Sequence, residues 1–257
     1  MKKTKTQVNT DSFPKEIRHL FRDANVYDSS CSSDASVYYI DTGYYVKTGS
    51  LHSLADEAKL TNLFYERGLG VEAIAYVSAD RDYLVTRSAV GEDLTHYLQN
   101  PEKLCELLAS SLLRLHSQPV GDVPVSSRYR RYIDSANGGF DGGCYDESVL
   151  TDRYTVKSKE EAWAIMQASK KLLAADTLIH GDACLPNIIQ NNGSFSAFID
   201  FNMSGAGDKH IDLYWAIWSL RYNLKTSAYT DLFLDMYGRE NFNEDMLRVI
   251  AAYELFG

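Results

Sequence analysis

A few short stretches of this sequence carry side chains whose types and spacing suit one kind of chemistry. In LIHGDACLPNIIQ, residues 178–190, Asp182 stands five positions before Asn187 in a turn pinched between apolar runs. Asp200 closes the apolar run AFI thirteen positions after Asn187, and Lys47 ends the run YYV ten positions before Glu57. Phosphoryl transfer from a nucleotide needs few parts: a group that orients the attacking hydroxyl, oxygen ligands for Mg²⁺, a Lys on the phosphates and something that holds that Lys. Asp182 suits the first role, Asn187 and Asp200 the second, Lys47 and Glu57 the last two. Mg²⁺ takes hard oxygen donors, and an amide oxygen with a carboxylate leaves the rest of the octahedron to phosphates and water. Plainer readings exist for each fragment. Asp182 and Asn187 beside Pro186 are also turn formers, and Lys47 with Glu57 also reads as an exposed ion pair. The order of the whole set along the chain is what makes it specific.

The elements that must position these residues follow from periodicity. ASVYYIDTGYYVK, residues 35–47, reads as two strands joined at Asp41-Thr42-Gly43. A helix follows, with Ser53 as N-cap, Asp56 at N3, apolar Ala58, Leu60, Leu63 and Phe64, and Gly68 as its stop. A second hairpin turns at residues 79–82, so the first ~90 residues are antiparallel strand plus one helix. Asn100 and Pro101 then open a helix in which Leu104, Leu107, Leu108, Leu112 and Leu115 form an apolar stripe. Residues 121 to 158, with GGFDGGCYDES inside them, are polar and Gly-rich and predict a long irregular excursion. Helix returns at 159–173, two β-like runs bracket the turn Asn191-Asn192-Gly193, and three further segments carry helical periodicity. The stripe Tyr214, Trp215, Trp218 and Tyr222 is expected to pack in the core. His19, His52, His96, His116 and His210 show no metal-ligand spacing and receive no role.

The bulk numbers set bounds. At 257 residues, 45% hydrophobic and 24% charged, the chain has the composition of an ordered globular protein. The opening MKKTKTQVNTDSFPKEI has a basic start without an apolar region behind it, which predicts a cytoplasmic protein with no membrane partner. Four cysteines without C-x-x-C spacing read as free thiols. A formal charge of −9 disfavours nucleic acid as a partner and permits a cationic small molecule.

The order His-x-Asp-x-x-x-x-Asn in HGDACLPN matches the catalytic-loop spacing of protein-kinase-like enzymes. HGDACLPNI followed by FSAFID resembles the aminoglycoside phosphotransferase family, especially its 3'-hydroxyl kinases that act on kanamycin and neomycin. YELF, residues 253–256, looks like the acidic-aromatic tail of that family. The resemblance implies an α+β, protein-kinase-like two-lobed fold, with a small antiparallel-sheet N-lobe (1–88) that binds nucleotide and a mainly helical C-lobe (89–257) for catalysis and substrate. It implies transfer of the γ-phosphoryl of ATP or GTP, with Mg²⁺, to a hydroxyl of an aminoglycoside. Asp182 takes the place of the catalytic acid, Asn187 and Asp200 of the metal ligands, and Lys47 and Glu57 of the nucleotide pair. Ser33 and Ser36 lie in the place of a nucleotide-positioning loop, Arg87 to Ala89 in that of the hinge whose backbone pairs with the base. Glu254 and Phe256 match the terminal substrate contacts. Acidic residues Asp141, Asp146 and Glu147 are further candidates to meet ammonium groups.

Three departures concern the substrate side. The family usually reads Gly-Arg after the metal Asp, where Asn202-Met203 follow Phe201 here; Tyr253 replaces the Asp expected beside Glu254; and Gly257 extends the chain past Phe256. Two rival functions follow. The same chemistry on an amino alcohol, sugar or homoserine-like metabolite keeps every motif, whereas an idle nucleotide sensor is disfavoured because the Lys and both Asp residues are present. A nucleic-acid-binding module lacks the necessary basic clusters.

Overall fold

The computed structural model describes residues 3–30, 35–121, 123 and 125–257, and the side chains of all of these but 125–127. The chain forms two compact units, Met1–Gly91 with Ser196–Asn202, and Glu92–Phe195 with Met203–Gly257.

The first unit is built on a sheet of β1 (Thr4–Thr6), β2 (Val26–Asp28), β3 (Ser36–Ile40), β4 (Tyr44–Gly49), β5 (Ala73–Ser78) and β6 (Asp82–Arg87), in the order β1-β2-β3-β4-β6-β5. Every pairing along that order is antiparallel. Alternation along the strands sorts side chains to two faces. Val46 and Val85 join a core with Phe13, Ile17, Leu20 and Phe21 from the N-terminal segment. On the opposite face Leu84 packs with Leu54 and Ala58 at helix α1 (Ala55–Glu66). Lys47 lies in register with Leu84, and so on the α1 side of the sheet.

The start of α1 differs from the expectation for Ser53. The Ser53 hydroxyl donates to the Ser50 carbonyl (2.7 Å), and the Leu54 N–H is taken instead by the buried Asp82 carboxylate (2.9 Å). That carboxylate also accepts the Tyr76 and Ser78 hydroxyls, so an acid of β6 fixes the first turn of α1. Gly68, at φ 65°, closes the helix as its position suggested.

The second unit contains β7 (Glu92–Asp93), α2 (Pro101–His116), α3 (Val125–Gly142), α4 (Lys159–Ser169), β8 (Thr177–Ile179), β9 (Ile188–Asn191), β11 (Gly205–Gly207), α5 (Lys209–Leu224), α6 (Thr230–Tyr237) and α7 (Glu244–Glu254); β10 (Ser194–Phe198) begins in it. The Asn100 side chain accepts the Lys103 N–H, Pro101 opens α2, and the leucine stripe is buried. Ser158 caps α4 in the same way. Asn192 and Gly193, at φ 51° and 76°, make the tight turn between β9 and β10.

Two expectations are corrected here. The stretch 121–158 is not irregular throughout, because α3 occupies eighteen residues of it. Its inward side repeats every four residues as Arg128, Tyr132 and Ala136, followed by Phe140. An arginine among the inward positions and two glycines in the last turn hid that period. Gly139 serves packing, since a Cβ there would collide with the carbonyl oxygen of Phe256. The second correction is the aromatic stripe of α5. Tyr214 is fully buried, whereas Trp215 and Trp218 are partly exposed and Tyr222 is 54% exposed, with Trp218 stacked on Tyr222 at 5.0 Å. Cys105, Cys144 and Cys184 are free thiols, and Cys31 lies outside the described residues. Among the described residues no helix is long and apolar enough to cross a membrane.

Candidate active site

In the first unit, Lys47, Glu57 and Asp200 converge although Asp200 lies 153 residues from Lys47. The Lys47 ammonium is 2.9 Å from Glu57 Oε1 and 2.9 Å from Asp200 Oδ1. Strand register turns Lys47 toward α1, whose first turn carries Glu57; an acid there also favours the positive end of the helix dipole. Asp200 is brought in by its neighbours. The Phe198 N–H donates to the Leu69 carbonyl (2.7 Å), and the Phe201 ring packs on Phe64 with centroids 4.4 Å apart. Between these anchors Asp200 adopts φ 65°, a left-handed conformation that a non-glycine residue holds only when its surroundings impose it. Burial alone would lower the Lys47 pKa, but Asp200 and Glu57 outweigh it and hold it above its ordinary value. This amine stays an ammonium, as a phosphate-binding Lys must.

In the second unit, β8 leads into His180-Gly181-Asp182 and a 3₁₀ turn, Leu185–Asn187, leads out into β9. The Asn187 amide donates to the Asp182 carboxylate (2.9 Å) and to the Asp182 carbonyl (3.0 Å). The amide nitrogen is thereby committed to Asp182, and the amide oxygen is the atom left as a hard donor. The Asp182 N–H lies 3.3 Å from Nδ1 of buried His180, so His180 supports the loop.

What anchors this loop is Asp212 of α5, to which the sequence reading gave no role. Its fully buried carboxylate accepts the N–H groups of His180 (2.8 Å) and Gly181 (2.6 Å) and faces His116 Nε2 at 3.1 Å. Burial pushes the Asp212 pKa up, but His116 and these donors prevail and keep it below the ordinary carboxylate value. Ser204 donates to the His180 carbonyl (2.7 Å), and the Ser219 hydroxyl accepts the Leu185 N–H (3.0 Å). Gly181 sits at φ 84°, where a Cβ would strike the Met203 carbonyl oxygen. A signal for Asp212 existed: HIDLYW sets one acid in an otherwise apolar helical run, and a buried acid requires partners.

The phosphotransferase enzyme family model matches residues 30–253. The chain belongs to this family. A probable aminoglycoside 3'-phosphotransferase of Lactococcus lactis is 38% identical over 258 residues, covering 98% of this chain and 97% of its own length. An aminoglycoside 3'-phosphotransferase of Niallia circulans is 30% identical over 177 residues, 68% of this chain and 67% of its own. Among solved structures, the aminoglycoside phosphotransferase APH(3'')-Id of Streptomyces rimosus has a TM-score of 0.76 at 19% identity, covering 97% of this chain and 99% of its own. The fold is thus the α+β, two-lobed, kinase-like fold of the aminoglycoside phosphotransferases, and the chain is a kinase.

The remaining site candidates of this phosphotransferase divide into buried and exposed groups. Glu254 and Phe256 are both buried, at 8% and 2% exposure. The Glu254 carboxylate accepts the Tyr132 hydroxyl of α3 at 2.9 Å, and Phe256 meets the Phe140 ring edge-on at 5.5 Å. Tyr253 stacks on Tyr132 at 5.6 Å in the interior, so its replacement of an Asp is a matter of core packing. Asp146 ties the loop after α3 to the tail through its N–H, which donates to the Leu255 carbonyl (2.9 Å), and Asp141, Asp146 and Glu147 are all exposed. Arg87 is ion-paired with Glu72 (3.0 Å) and its N–H donates to the Glu72 carbonyl (2.9 Å); Ala89 is partly buried. Ser36 begins β3 in register with Thr48, and Ser33 lies outside the described residues.

Proposed function

We propose that this kinase transfers the γ-phosphoryl group of ATP or GTP, with Mg²⁺, to a hydroxyl of an aminoglycoside, in the cytoplasm, and so confers resistance. The observation that carries the reading is the Asp182–Asn187 pair, held at 2.9 Å on a loop whose backbone is fixed by a buried acid. Asp182 orients the acceptor hydroxyl and takes its proton as the bond to phosphorus forms; a loose transition state asks little more of a base. Lys47, kept charged and braced by Glu57, holds phosphate oxygens of the donor.

The residues present fit Mg²⁺. Asp200 offers a carboxylate oxygen and Asn187 an amide oxygen, both hard donors, and Mg²⁺ is usually held by one or two carboxylates plus substrate phosphates. The ion would neutralise charge on those phosphates. Residues 1–88 serve as the nucleotide lobe and 89–257 as the catalytic and substrate lobe. Since the Arg87 N–H is already bonded, the backbone contact to the base falls to Ala89, with Ser33 and Ser36 near the phosphates. Solved neighbours are described in complex with ADP and streptomycin and with GDP and kanamycin, which supports a purine nucleotide donor and an aminoglycoside acceptor. Glu254 and Phe256 would form the inner wall for that acceptor, with Asp141, Asp146 and Glu147 available to its ammonium groups.

Asn202-Met203 in place of Gly-Arg favours a second reading, in which the acceptor is another small amino alcohol, sugar or homoserine-like metabolite. The test is purified protein with Mg²⁺ and labelled ATP or GTP against an aminoglycoside panel. Transfer to panel members supports the first reading, and transfer only to the alternative acceptors supports the second. Asp182→Asn is expected to fold and bind nucleotide while losing about 10²–10⁴-fold in turnover; wild-type turnover in that variant would remove Asp182 from its role.

A further inference from the structure

Arg128, on the inward side of α3, is a buried charge that the reaction scheme above does not use. It is 4% exposed, and its Nε donates to the Met203 carbonyl at 2.5 Å. Its two Nη atoms are buried with no hydrogen-bond partner among the described residues. The side chain runs along glycine backbone. A Cβ on Gly205 would lie 3.3 Å from Arg128 Cβ and Cδ, one on Gly207 3.1 Å from Nη1, and one on Gly181 2.8 Å from Nη2. Three glycines, one adjacent to Asp182, thus leave the space the Arg128 side chain fills. The guanidinium carbon also sits 5.5 Å from the centroid of the Tyr132 ring, and Tyr132 is the residue that donates to Glu254.

An unpaired buried guanidinium is costly, and well-packed apolar groups often replace buried charges without loss of stability. A buried charge at that cost calls for a use. We propose that Arg128 is a positioning residue of the transfer reaction, which locks the Met203 backbone under the catalytic loop and acts as the internal counter-cation of Glu254. The proposal rests on the kinase reading above and adds a residue to it.

Charge supports the geometry. Burial drives the Glu254 pKa up to about 7, against the pull of the Tyr132 hydroxyl and the Arg128 charge. The groups that act on Glu254 or respond to it are Tyr132 and Arg128 from α3, Asp182 and Cys184 from the catalytic loop, and Tyr214 and Trp215 from α5. Arg128 is the one full positive charge among these described residues, and Asp212 is its other carboxylate neighbour. Without it, Glu254 should hold its proton at neutral pH and lose its value toward a cationic acceptor.

The experiment compares wild type, Arg128→Lys and Arg128→Met by ¹³C NMR titration of the Glu254 carboxyl, alongside acceptor kinetics as a function of pH. Arg128→Met is expected to raise the Glu254 midpoint by more than half a pH unit and to shift the acidic limb of kcat/KM with it. Arg128→Lys keeps the midpoint and lowers kcat, since its ammonium cannot reproduce the planar fork. Where Arg128→Met folds poorly, Arg128→Gln carries the same comparison. An unchanged Glu254 midpoint in the uncharged variant overturns the inference, because a purely structural residue would alter stability without moving that titration. Failure of the kinase reading is seen separately, as absence of transfer by wild type, and leaves the NMR result decisive for Arg128.

Discussion

The two clusters hold their functional groups in different ways. In the first unit Lys47 bonds directly to both Glu57 and Asp200, so the groups assigned to the nucleotide and its metal also support one another. In the second, Asp182 and Asn187 ride on a loop fixed by Asp212, Ser204 and Ser219, none of which is a candidate for contact with substrate. Loss of one acid here is tolerated, because Lys47 stays paired with the other, and Asp200 is half-exposed to water. A loop hung on one buried carboxylate does not tolerate such a loss, because removing that carboxylate leaves several buried donors without partners at once. Damage to the second unit should therefore be larger and should appear in stability as well as in turnover.

The harshest way to test this asymmetry is Asp212→Ala, which leaves the His180 and Gly181 N–H groups and the His116 ring without their acceptor. A loss of about 3–5 kcal/mol is expected from breaking a buried hydrogen-bonded charge. Urea unfolding of both proteins measures it, and a loss under 1 kcal/mol would remove Asp212 from its anchoring role. Gly181→Ala comes next. The left-handed backbone and the Met203 carbonyl leave no room for a methyl group, so the loop must shift. A displacement of that kind is expected to cost about 10²-fold in transfer. Nucleotide affinity should stay within twofold, because Lys47, Glu57 and Asp200 belong to the other unit; a parallel fall in affinity would show that the two clusters are not separable.

The same contrast explains what could be read from the sequence. The first cluster was legible because its supports are its functional residues, and Lys47, Glu57 and Asp200 all stand in the motif order. The hairpins were legible from alternation and from Asp41-Thr42-Gly43 and Asn191-Asn192-Gly193, whose turn chemistry is local. The second cluster was only half legible. Asp182 and Asn187 announce themselves by spacing, whereas Asp212 lies 30 residues beyond Asp182 in a helix that reads as apolar. Helix α3 was missed for a related reason: its inward side includes Arg128 and Gly139, which fit because of Met203 and Phe256, contacts that no local pattern encodes.

A milder test sharpens the first half of the comparison. Glu57→Gln leaves Lys47 paired with Asp200 and keeps the shape of the side chain. The expected result is a tenfold rise in nucleotide KM, equivalent to about 1.4 kcal/mol, with an unfolding midpoint close to that of wild type. A loss of stability comparable to that of Asp212→Ala would erase the distinction between mutually paired and singly anchored clusters.

The smallest effect concerns Glu254, the acid at the end of α7. Its pKa is raised by burial from 4.5 to about 7, so between these values the unfolded chain has released the proton while the folded chain still holds it. Folding then takes up a proton, and stability falls as pH rises through that window before levelling above it. Glu254→Gln removes the titration yet keeps an oxygen to accept the Tyr132 hydroxyl. The gap in unfolding midpoint between variant and wild type should therefore move in the variant's favour from pH 4.5 to about 7 and then stay constant. A gap independent of pH would mean that Glu254 titrates alike in the folded and unfolded chain, with Arg128 and Tyr132 fully offsetting burial. The comparison of the two units would then need a third case, an acid of the second unit that is stabilised directly by its charged neighbour, as Lys47 is in the first.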